Sequence, residues 1–384
     1  MALSPSTSLC NREILLVLGW YYQEMHLGVA RYAREHHWHV TFDFDEPVPR
    51  AWNGQGVLTL LGAGNDYWKQ LQRLKLPMVD LAESRPEIPL PRVTMDNAAI
   101  ATMAANYFVD RGFRQFAFVH RRDLGVSRRR RRYFQQIIDA HGHECHVLSW
   151  EAERHRRADT REQRTLWLQA RLSALPKPLA VLARDIDAVE VLEACLALGL
   201  AVPDQVSVLG IDNTETICNS LYISLSSIDP NLELIGYEGA ALLERMIQGE
   251  KVPDSPIYLP PRGIVERGST DSLATDHRHV AAALRYIRDH AAEPIGMADI
   301  VKQVPMSRSG LEKAFREHYV RAPIEQLKHV RLEIVKRLLR DTDDSLAMIA
   351  RKSGFQTAHN LCRVFRKEVG MTPKQYRETH ESRN

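Results

Sequence analysis

Met297-Ala-Asp-Ile-Val-Lys-Gln-Val304, Ser307-Arg-Ser-Gly-Leu-Glu-Lys-Ala-Phe-Arg316 and Ala322-Pro323 are echoed later in the chain. The echo is Leu346-Ala-Met-Ile-Ala-Arg-Lys-Ser-Gly-Phe355, Thr357-Ala-His-Asn-Leu-Cys-Arg-Val-Phe-Arg-Lys367 and Thr372-Pro373. Phe315 pairs with Phe365 and Pro323 with Pro373 at one common offset. Each copy reads as a short helix, a turn, and a second helix opened by Ser307 or Thr357, residues suited to an N-cap. Leu311, Ala314 and Phe315 fall at i, i+3 and i+4, as do Leu361, Val364 and Phe365, so each second helix has one face to bury. That is a helix-turn-helix, whose second helix enters the major groove of DNA. One copy would be a weak signal; two copies joined by a long helix are a strong one.

The outward faces supply the DNA-binding candidates. In the first copy these are Arg308, Ser309, Glu312, Lys313 and Arg316; in the second, Thr357, His359, Asn360, Arg363, Arg366 and Lys367. Arg and Lys suit guanine or phosphate, and Asn suits adenine. Ser309 with Lys313, and His359 with Arg363, share a helix face and are the candidates for base edges. Arg308, Arg316, Arg366 and Lys367 are the candidates for phosphates. The bland alternative is an ordinary solvated helix surface. Charge supports the sharper one: residues 275–384 carry 21 Lys and Arg against 14 Asp and Glu, while the rest of the chain carries 30 against 34. A basic end on an acidic body is the footprint of a phosphate-contacting module.

The stretch from Ser353-Gly-Phe355 through Arg363-Val-Phe-Arg-Lys367 to Gly370-Met-Thr-Pro-Lys-Gln-Tyr-Arg377 resembles the DNA-binding domain of AraC-family transcription regulators, over residues ~277–380. The chain departs from the common family pattern at Asn360-Leu361, where many members carry an aromatic pair. The resemblance implies promoter DNA as a partner, RNA polymerase beside it, and a homodimer.

Upstream, helices alternate with apolar strands. Strands are read at Ile14–Leu18, Gly56–Leu61, Met78–Leu81, Phe116–His120, Ala180–Ala183 and Val206–Ile211. Helices are read at Met25–His36, Asp66–Leu74, Asn97–Asp110, Arg129–Ala140 and Ala188–Leu198, several stopped by glycine. This is the pattern of an α/β fold with parallel sheets. Its length and two comparable halves predict two lobes around a cleft, and open α/β sheets bind ligands at the carboxyl ends of their strands.

Asp96, Asp185 and Asp212 are each read as lying just past the carboxyl end of a strand, at Val93–Met95 for Asp96, and are candidates for holding a sugar, whose hydroxyls both donate and accept. Trp20, Tyr21 and Tyr22 follow the first strand and could cover a sugar ring. Each Asp has an alternative reading as a turn or N-cap residue. Several phrases resemble the sugar-sensing domain of LacI-type repressors and periplasmic sugar-binding proteins, over residues ~12–265: Val93-Thr-Met-Asp-Asn97, Ala183-Arg-Asp185, Gly199-Leu-Ala-Val-Pro-Asp-Gln-Val206 running on to Asn213, and Leu225-Ser-Ser-Ile-Asp-Pro-Asn231. The resemblance implies a two-lobed domain of the type I periplasmic-binding-protein kind ahead of an all-α domain with two helix-turn-helix motifs. It also implies a sugar effector, xylose first among candidates, held by Asp96, Asp212 and Arg130. The run Arg128–Arg132 leaves the register of that arginine open by one or two positions, and a solvated face accounts for at least three of the five.

The expected organisation is a tail (1–11), a sensing domain (12–267), a polar linker (268–276) and a DNA-binding domain (277–384). Within the last, the first motif covers about 297–317, a connecting helix 324–339 and the second motif about 346–367. Other chemistry is weakly represented. His141-Gly-His-Glu-Cys-His146 contains zinc-type residues, but strand alternation would point them to opposite faces, so no metal is expected. Gly62-Ala-Gly64 is too short for a phosphate loop, Gly-x-Ser-x-Gly and His-Glu-x-x-His are absent, and no cofactor is expected. The five cysteines are odd in number and scattered, which argues against a disulfide framework and for a reducing cytoplasm. No apolar run approaches the roughly 18 residues of a membrane span, so no membrane partner is expected. A sugar-transport binding protein and a sugar-modifying enzyme are the readings of other classes.

Overall fold

The computed structural model describes residues 12–62, 67–155, 158–270, 277–319 and 321–381. The tail 1–11, Gly64, Asp66 and linker residues 271–276 lie outside the described residues. The chain divides into two compact units, Met1–Tyr107 with Arg114–Asp271, and Ser272–Asn384 with Phe108–Phe113.

The first unit starts with β1 (Arg12–Leu18), α1 (Gln23–Glu35), β2 (Trp38–Phe42), β3 (Gly56–Leu60), α2 (Tyr67–Leu71), β4 (Met78–Asp80) and β5 (Val93–Met95). It continues with α3 (Asn97–Asp110), β6 (Gln115–His120), α4 (Gly125–Ala140), β7 (Cys145–Ser149), α5 (Trp150–Glu153), α6 (Arg161–Ala174) and β8 (Leu179–Ala183). Then come α7 (Asp185–Ala197), β9 (Val206–Ile211), α8 (Glu215–Ser220), β10 (Ser226–Asp229), α9 (Leu232–Ile247), β11 (Ile257–Leu259) and β12 (Gly263–Val265).

These strands form two main sheets, so the expected two lobes are present. Lobe one holds the order β2-β1-β3-β4, all parallel, with the pair β5-β11 beside it. A bridge between Asp80 and Arg92 joins β4 to that pair. Lobe two holds β12-β10-β9-β8-β6-β7, parallel except for β12. The central strands β3, β8 and β9 are buried along their whole length. That is why they read as continuous apolar runs, as parallel strands covered on both faces do.

The chain passes between the lobes three times: after β5, after β10 and after β11. The third passage runs through Pro260-Pro261 and is tied at both ends, by Asp96 N–H to the Leu259 carbonyl (2.8 Å) and Arg262 N–H to the Asp229 carbonyl (2.9 Å). Because of these returns α9 packs on α1 in lobe one, with Gly28 and Gly236 at the contact. Strands β2 and β10–β12 and helices α5, α6, α8 and α9 go beyond the elements read from sequence, and β5 and β7 are implied there only by the position of Asp96 and by the alternation at His143–His146. Helices α4 and α7 start about one turn earlier than their apolar periodicity indicates, since Gly125, Asp185 and their neighbours form polar first turns.

Gly268–Thr270, assigned above to the linker, form a short helical turn in which Ser269 and Thr270 are buried. The Ser269 hydroxyl donates to the Val208 carbonyl (2.6 Å), and the Ser226 N–H donates back to it (2.8 Å). Polar sequence reads as linker, but here it supplies hydrogen bonds to a strand edge.

The second unit is all helical: α10 (Arg278–His290), α11 (Met297–Val301), α12 (Arg308–His318), α13 (Pro323–Asp341), α14 (Leu346–Lys352), α15 (Ala358–Val369) and α16 (Pro373–Glu381). Local chemistry sets the boundaries. Ser307, Ser345 and Thr357 hydroxyls accept from the N–H groups of Gly310, Met348 and Asn360. Pro323 occupies the first helical position of α13, where its missing N–H costs nothing. Gly370 ends α15 at φ +82°, the left-handed cap that favours glycine.

Two separate cores result. Phe315 and Leu311 join Ile287, Ile300 and Leu327 in one; Phe365 and Leu361 join Ile349, Val335 and Leu339 in the other. Helix α13 contributes to both, its first half to one and its second half to the other. At 19 residues it is about 28 Å long, three residues longer than read from sequence. Among the described residues no helix is long and apolar enough to cross a membrane.

Candidate functional site

Two regions carry the chemistry. The first lies at the carboxyl ends of the strands in the first unit. In lobe two the strand order turns back between β6 and β8, the topological switch point where open α/β sheets bind ligands. Arg184 and Asp185 follow β8, Asp212 follows β9, and Trp20 and Tyr22 follow β1 in lobe one.

Asp212 is the centre of this group. Its backbone sits at φ +115° and that of Asn213 at +47°, conformations that cost about 1–3 kcal/mol each and persist only where neighbours enforce them. The neighbours are Ser227, whose hydroxyl accepts from Asn213 N–H (3.0 Å), and Arg267, which donates to the Asn213 side-chain oxygen (3.0 Å). The Asp212 carboxylate is buried; Oδ2 accepts from the Tyr22 hydroxyl (3.3 Å), and Oδ1 has no partner among the described residues. Burial raises its pKa, and the positive charges of Arg130 and Arg184 oppose that rise.

Of the run Arg128–Arg132, Arg130 is the buried member, at 2% exposure. Its Nε donates to the Asn97 oxygen (2.6 Å) and its Nη2 to the Met95 thioether. Burial lowers its pKa, and Asp212 and Tyr22 act against that. Arg184 lies 5.7 Å from the Trp20 ring centroid and 3.8 Å from Asp187. Tyr22–Asp212 and Trp20–Arg184 both span the two lobes. An acceptor with a free oxygen, two guanidinium donors, a hydroxyl and a half-exposed indole match a ligand that both donates and accepts.

The other candidates are placed differently. Asp96 caps α3, its Oδ1 accepting from Ala98 N–H (3.0 Å) and Ala99 N–H (2.9 Å). Asp185 is spent internally: it accepts from the Ser227 hydroxyl (2.6 Å), Thr214 N–H (2.8 Å) and the Cys218 thiol (3.5 Å), and so fastens the loop that presents Asp212. Tyr21 packs against His26, Phe42 and Phe44 on the exposed side of lobe one. Arg184 and Asn97 are absent from the sequence candidates, although Arg184 stands in the phrase that flagged Asp185. Its position one residue past a strand was the available signal. His143 packs beside Phe116, and Cys145 is buried at the start of β7.

Burial and the charge of Asp212 push Asp185 up to about 7. Asp187 and Asp80 are raised to about 6, burial being the first cause in each. A raised carboxyl binds its proton more tightly folded than unfolded. Folding is therefore favoured below the unfolded value near 4, and stability is lost as pH rises through about 6–7. The lowered values of His26, His120 and His143 act with the opposite sign over the same window, so the test is a difference: the thermal midpoint of Asp185→Asn minus that of the parent is expected to grow as pH rises from about 4.5 to about 7.5. A difference that shrinks over this range would contradict the assignment.

The second region is the exposed surface of α12 and α15. Arg308, Ser309, Lys313 and Arg316 on α12, and Thr357, His359, Arg363, Arg366 and Lys367 on α15, are exposed; Glu312 and Asn360 are half-buried. On α12 the charges are paired within the helix, Arg308 with Glu312 (2.9 Å) and Lys313 with Glu317 (3.8 Å). On α15 the Arg363 guanidinium donates to the Asn360 oxygen (3.1 Å), and the Thr357 hydroxyl is engaged as the helix cap. Arg363→Ala is expected to relax base preference at one position by about 1–3 kcal/mol in binding-site selection. Equal weakening on all sequences would mark a phosphate contact instead.

Family models match both units of the chain. The family described as periplasmic binding protein-like domain matches residues 105–270, and the helix-turn-helix domain family matches residues 300–379. The xylose operon regulatory protein of Escherichia coli K12 is 30% identical over 378 residues, covering 92% of this chain and 93% of that one. Its counterpart from Haemophilus influenzae is 29% identical over 351 residues, covering 88% and 84%. The solved structure of the xylose-binding transcription activator xylR aligns over 96% of this chain and 98% of that one, with a TM-score of 0.61 and 25% identity. A cellobiose complex of the regulator CelR shares the fold of the sensing unit, with a TM-score of 0.55 over 67% of this chain.

A periplasmic-binding-protein-like domain joined to an AraC-type pair of helix-turn-helix motifs defines a DNA-binding transcription regulator, and the relatives are named as regulators. The chain belongs to the family of xylose operon regulatory proteins.

Proposed function

We propose that this regulator binds a pentose, D-xylose first among candidates, between Asp212, Arg130, Arg184, Tyr22 and Trp20, and activates a catabolic operon in response. The observation that carries the reading is the buried oxygen of Asp212 that has no partner among the described residues, beside the charges of Arg130 and Arg184 in lobe two and opposite Tyr22 of lobe one. A buried polar atom without a partner costs about 1–3 kcal/mol, which a sugar hydroxyl donating to it would recover. The names of the relatives supply the sugar.

The sugar holds the lobes together through Tyr22 and Trp20 on one side and Asp212 and Arg184 on the other. It shifts the protein toward the closed form by its preference for that form. The working protein is a cytoplasmic homodimer that engages repeated operator sites beside a promoter and contacts RNA polymerase there. Asp96 contributes through its remaining oxygen, and Asp185 through the loop it holds.

Titration of the purified chain with a panel of pentoses and hexoses tests this, read by tryptophan fluorescence and by operator affinity. A saturable response to one pentose, with tighter operator binding, is expected. No response to any sugar would overturn the sensor reading, and turnover of the bound sugar would overturn its purely regulatory character.

A further inference from the structure

The arginine run Arg128–Arg132 holds more than one function. Arg130 turns inward, whereas Arg128 and Arg131 both face Asp123 within lobe two. Arg129 does something else. From α4 in lobe two it reaches Glu83 and the Tyr258 hydroxyl (3.3 Å), both in lobe one. Tyr258 in turn donates to the same Glu83 oxygen, Oε1, at 2.6 Å.

Glu83 is an unusual place for a carboxylate. It is 6% exposed, and its second oxygen has no partner among the described residues. A buried carboxylate is tolerated only when paired, so its cation and hydroxyl partners are needed where they stand. The loop that carries Glu83 is itself stapled. Arg92 donates to Asp80 (3.2 Å), to the Arg85 carbonyl (2.7 Å) and to the Ile88 carbonyl (2.5 Å). Tyr258 lies on β11, which is paired to β5. Lobe one therefore presents Glu83 and Tyr258 as a fixed receptor. The start of α4 is also near that loop, since a Cβ on Gly125 would lie 4.0 Å from the Ser84 carbonyl oxygen.

Among the described residues, none of these three side chains makes a hydrogen bond or ion pair with Asp212, Tyr22 or Arg184, so the contact lies outside the pocket. It is nonetheless joined mechanically to the cleft, because Arg129 and Arg130 are consecutive on α4. We infer that Glu83, Arg129 and Tyr258 form a latch between the lobes that sets the balance of open and closed forms before any effector binds. Arg129 is thus a positioning residue that sets effector affinity from outside the pocket. An effector that binds only the closed form has an apparent Kd inversely proportional to the fraction already closed. Losing the latch lowers that fraction. The inference rests on the sensor reading above only for its effect on affinity.

The test uses the full chain, with spectroscopic labels attached to non-natural residues placed at exposed Leu27 on α1 and Leu196 on α7. Distances between labels are measured without sugar in the parent and in Tyr258→Phe, Arg129→Gln and Glu83→Gln. A shift toward longer separations in the variants is expected, followed by a three- to thirty-fold rise in apparent Kd for D-xylose with the same limiting fluorescence change. Tyr258→Phe removes one hydroxyl from a partly exposed ring, so it keeps the test valid should the charge variants fail to fold. Distance distributions in Tyr258→Phe that superimpose on the parent would overturn the latch. Failure of D-xylose to bind would overturn the effector reading alone, because the distance measurement contains no sugar.

Discussion

Arg130→Met is expected to abolish the effector response while leaving operator binding by the helix-turn-helix motifs measurable. The substitution keeps most of the side-chain length and removes the charge. It leaves the Asn97 oxygen without its donor and Asp212 with Arg184 as its remaining cation neighbour. Breaking a buried charge arrangement on one side costs about 3–5 kcal/mol, since the remaining charge stays buried. If half of that falls on the ligand-bound state, affinity drops by more than tenfold. Fluorescence titration and the thermal midpoint separate the two contributions. An unchanged response to sugar in a folded Arg130→Met protein would remove Arg130 from the pocket. The neighbouring Arg132, exposed on the same helix, serves as the control, and Arg132→Met should leave both readouts as in the parent.

Gly28→Ala is expected to cripple lobe one, for a reason of packing. A Cβ at Gly28 would lie 1.9 Å from the Glu233 carbonyl oxygen, and one at Gly236 would lie 2.1 Å from that of Met25. The two helices α1 and α9 thus touch backbone to backbone, and neither carbonyl can swing away like the end of a flexible side chain. Alanine is the better helix former by about 1 kcal/mol, so propensity alone favours the substitution. Forcing the helices apart costs about 1–3 kcal/mol by the usual penalty for overpacking, and a contact with backbone falls at the upper end of that range, which decides the sign. Denaturant unfolding should show the loss, and Gly236→Ala should reproduce it. A change within about 0.5 kcal/mol would mean that the crossing is looser than described.

Much of the DNA-binding unit is legible in the sequence. Its signals are local: a cap at Ser307 or Thr357, apolar residues one helical turn apart, Pro323 and Pro373 inside the starts of helices, Gly370 beyond an end. Each depends on neighbours within a few positions. The strands β3, β6, β8 and β9 are legible too, because burial on both faces leaves an uninterrupted apolar run. Edge and crossing elements are not. Strands β5, β11 and β12 have three residues each. Their pairing joins segments more than 30 residues apart, and no short-range pattern announces that.

The effector site shows the same division at the level of single side chains. Three aspartates at strand ends look equivalent in sequence, and position alone gives them equal standing. In the fold Asp96 turns into its own helix, Asp185 into the loop beside it, and Asp212 keeps an oxygen without a partner among the described residues. Likewise five consecutive arginines are chemically indistinguishable in sequence, yet one is 2% exposed and another reaches across to Glu83.

The order of residues is enough to define the kind of protein: a doubled helix-turn-helix with a basic surface, preceded by an α/β sensing domain with acidic strand ends. Periodicity, capping and charge act over a few residues or sum over many, and both can be counted along a chain. Tertiary folding selects which aspartate is available to a ligand, which arginine faces it, and which side chains tie the lobes together. Those choices depend on three passages of the chain between lobes. A hydrogen bond forms only where such passages bring donor and acceptor within about 3 Å.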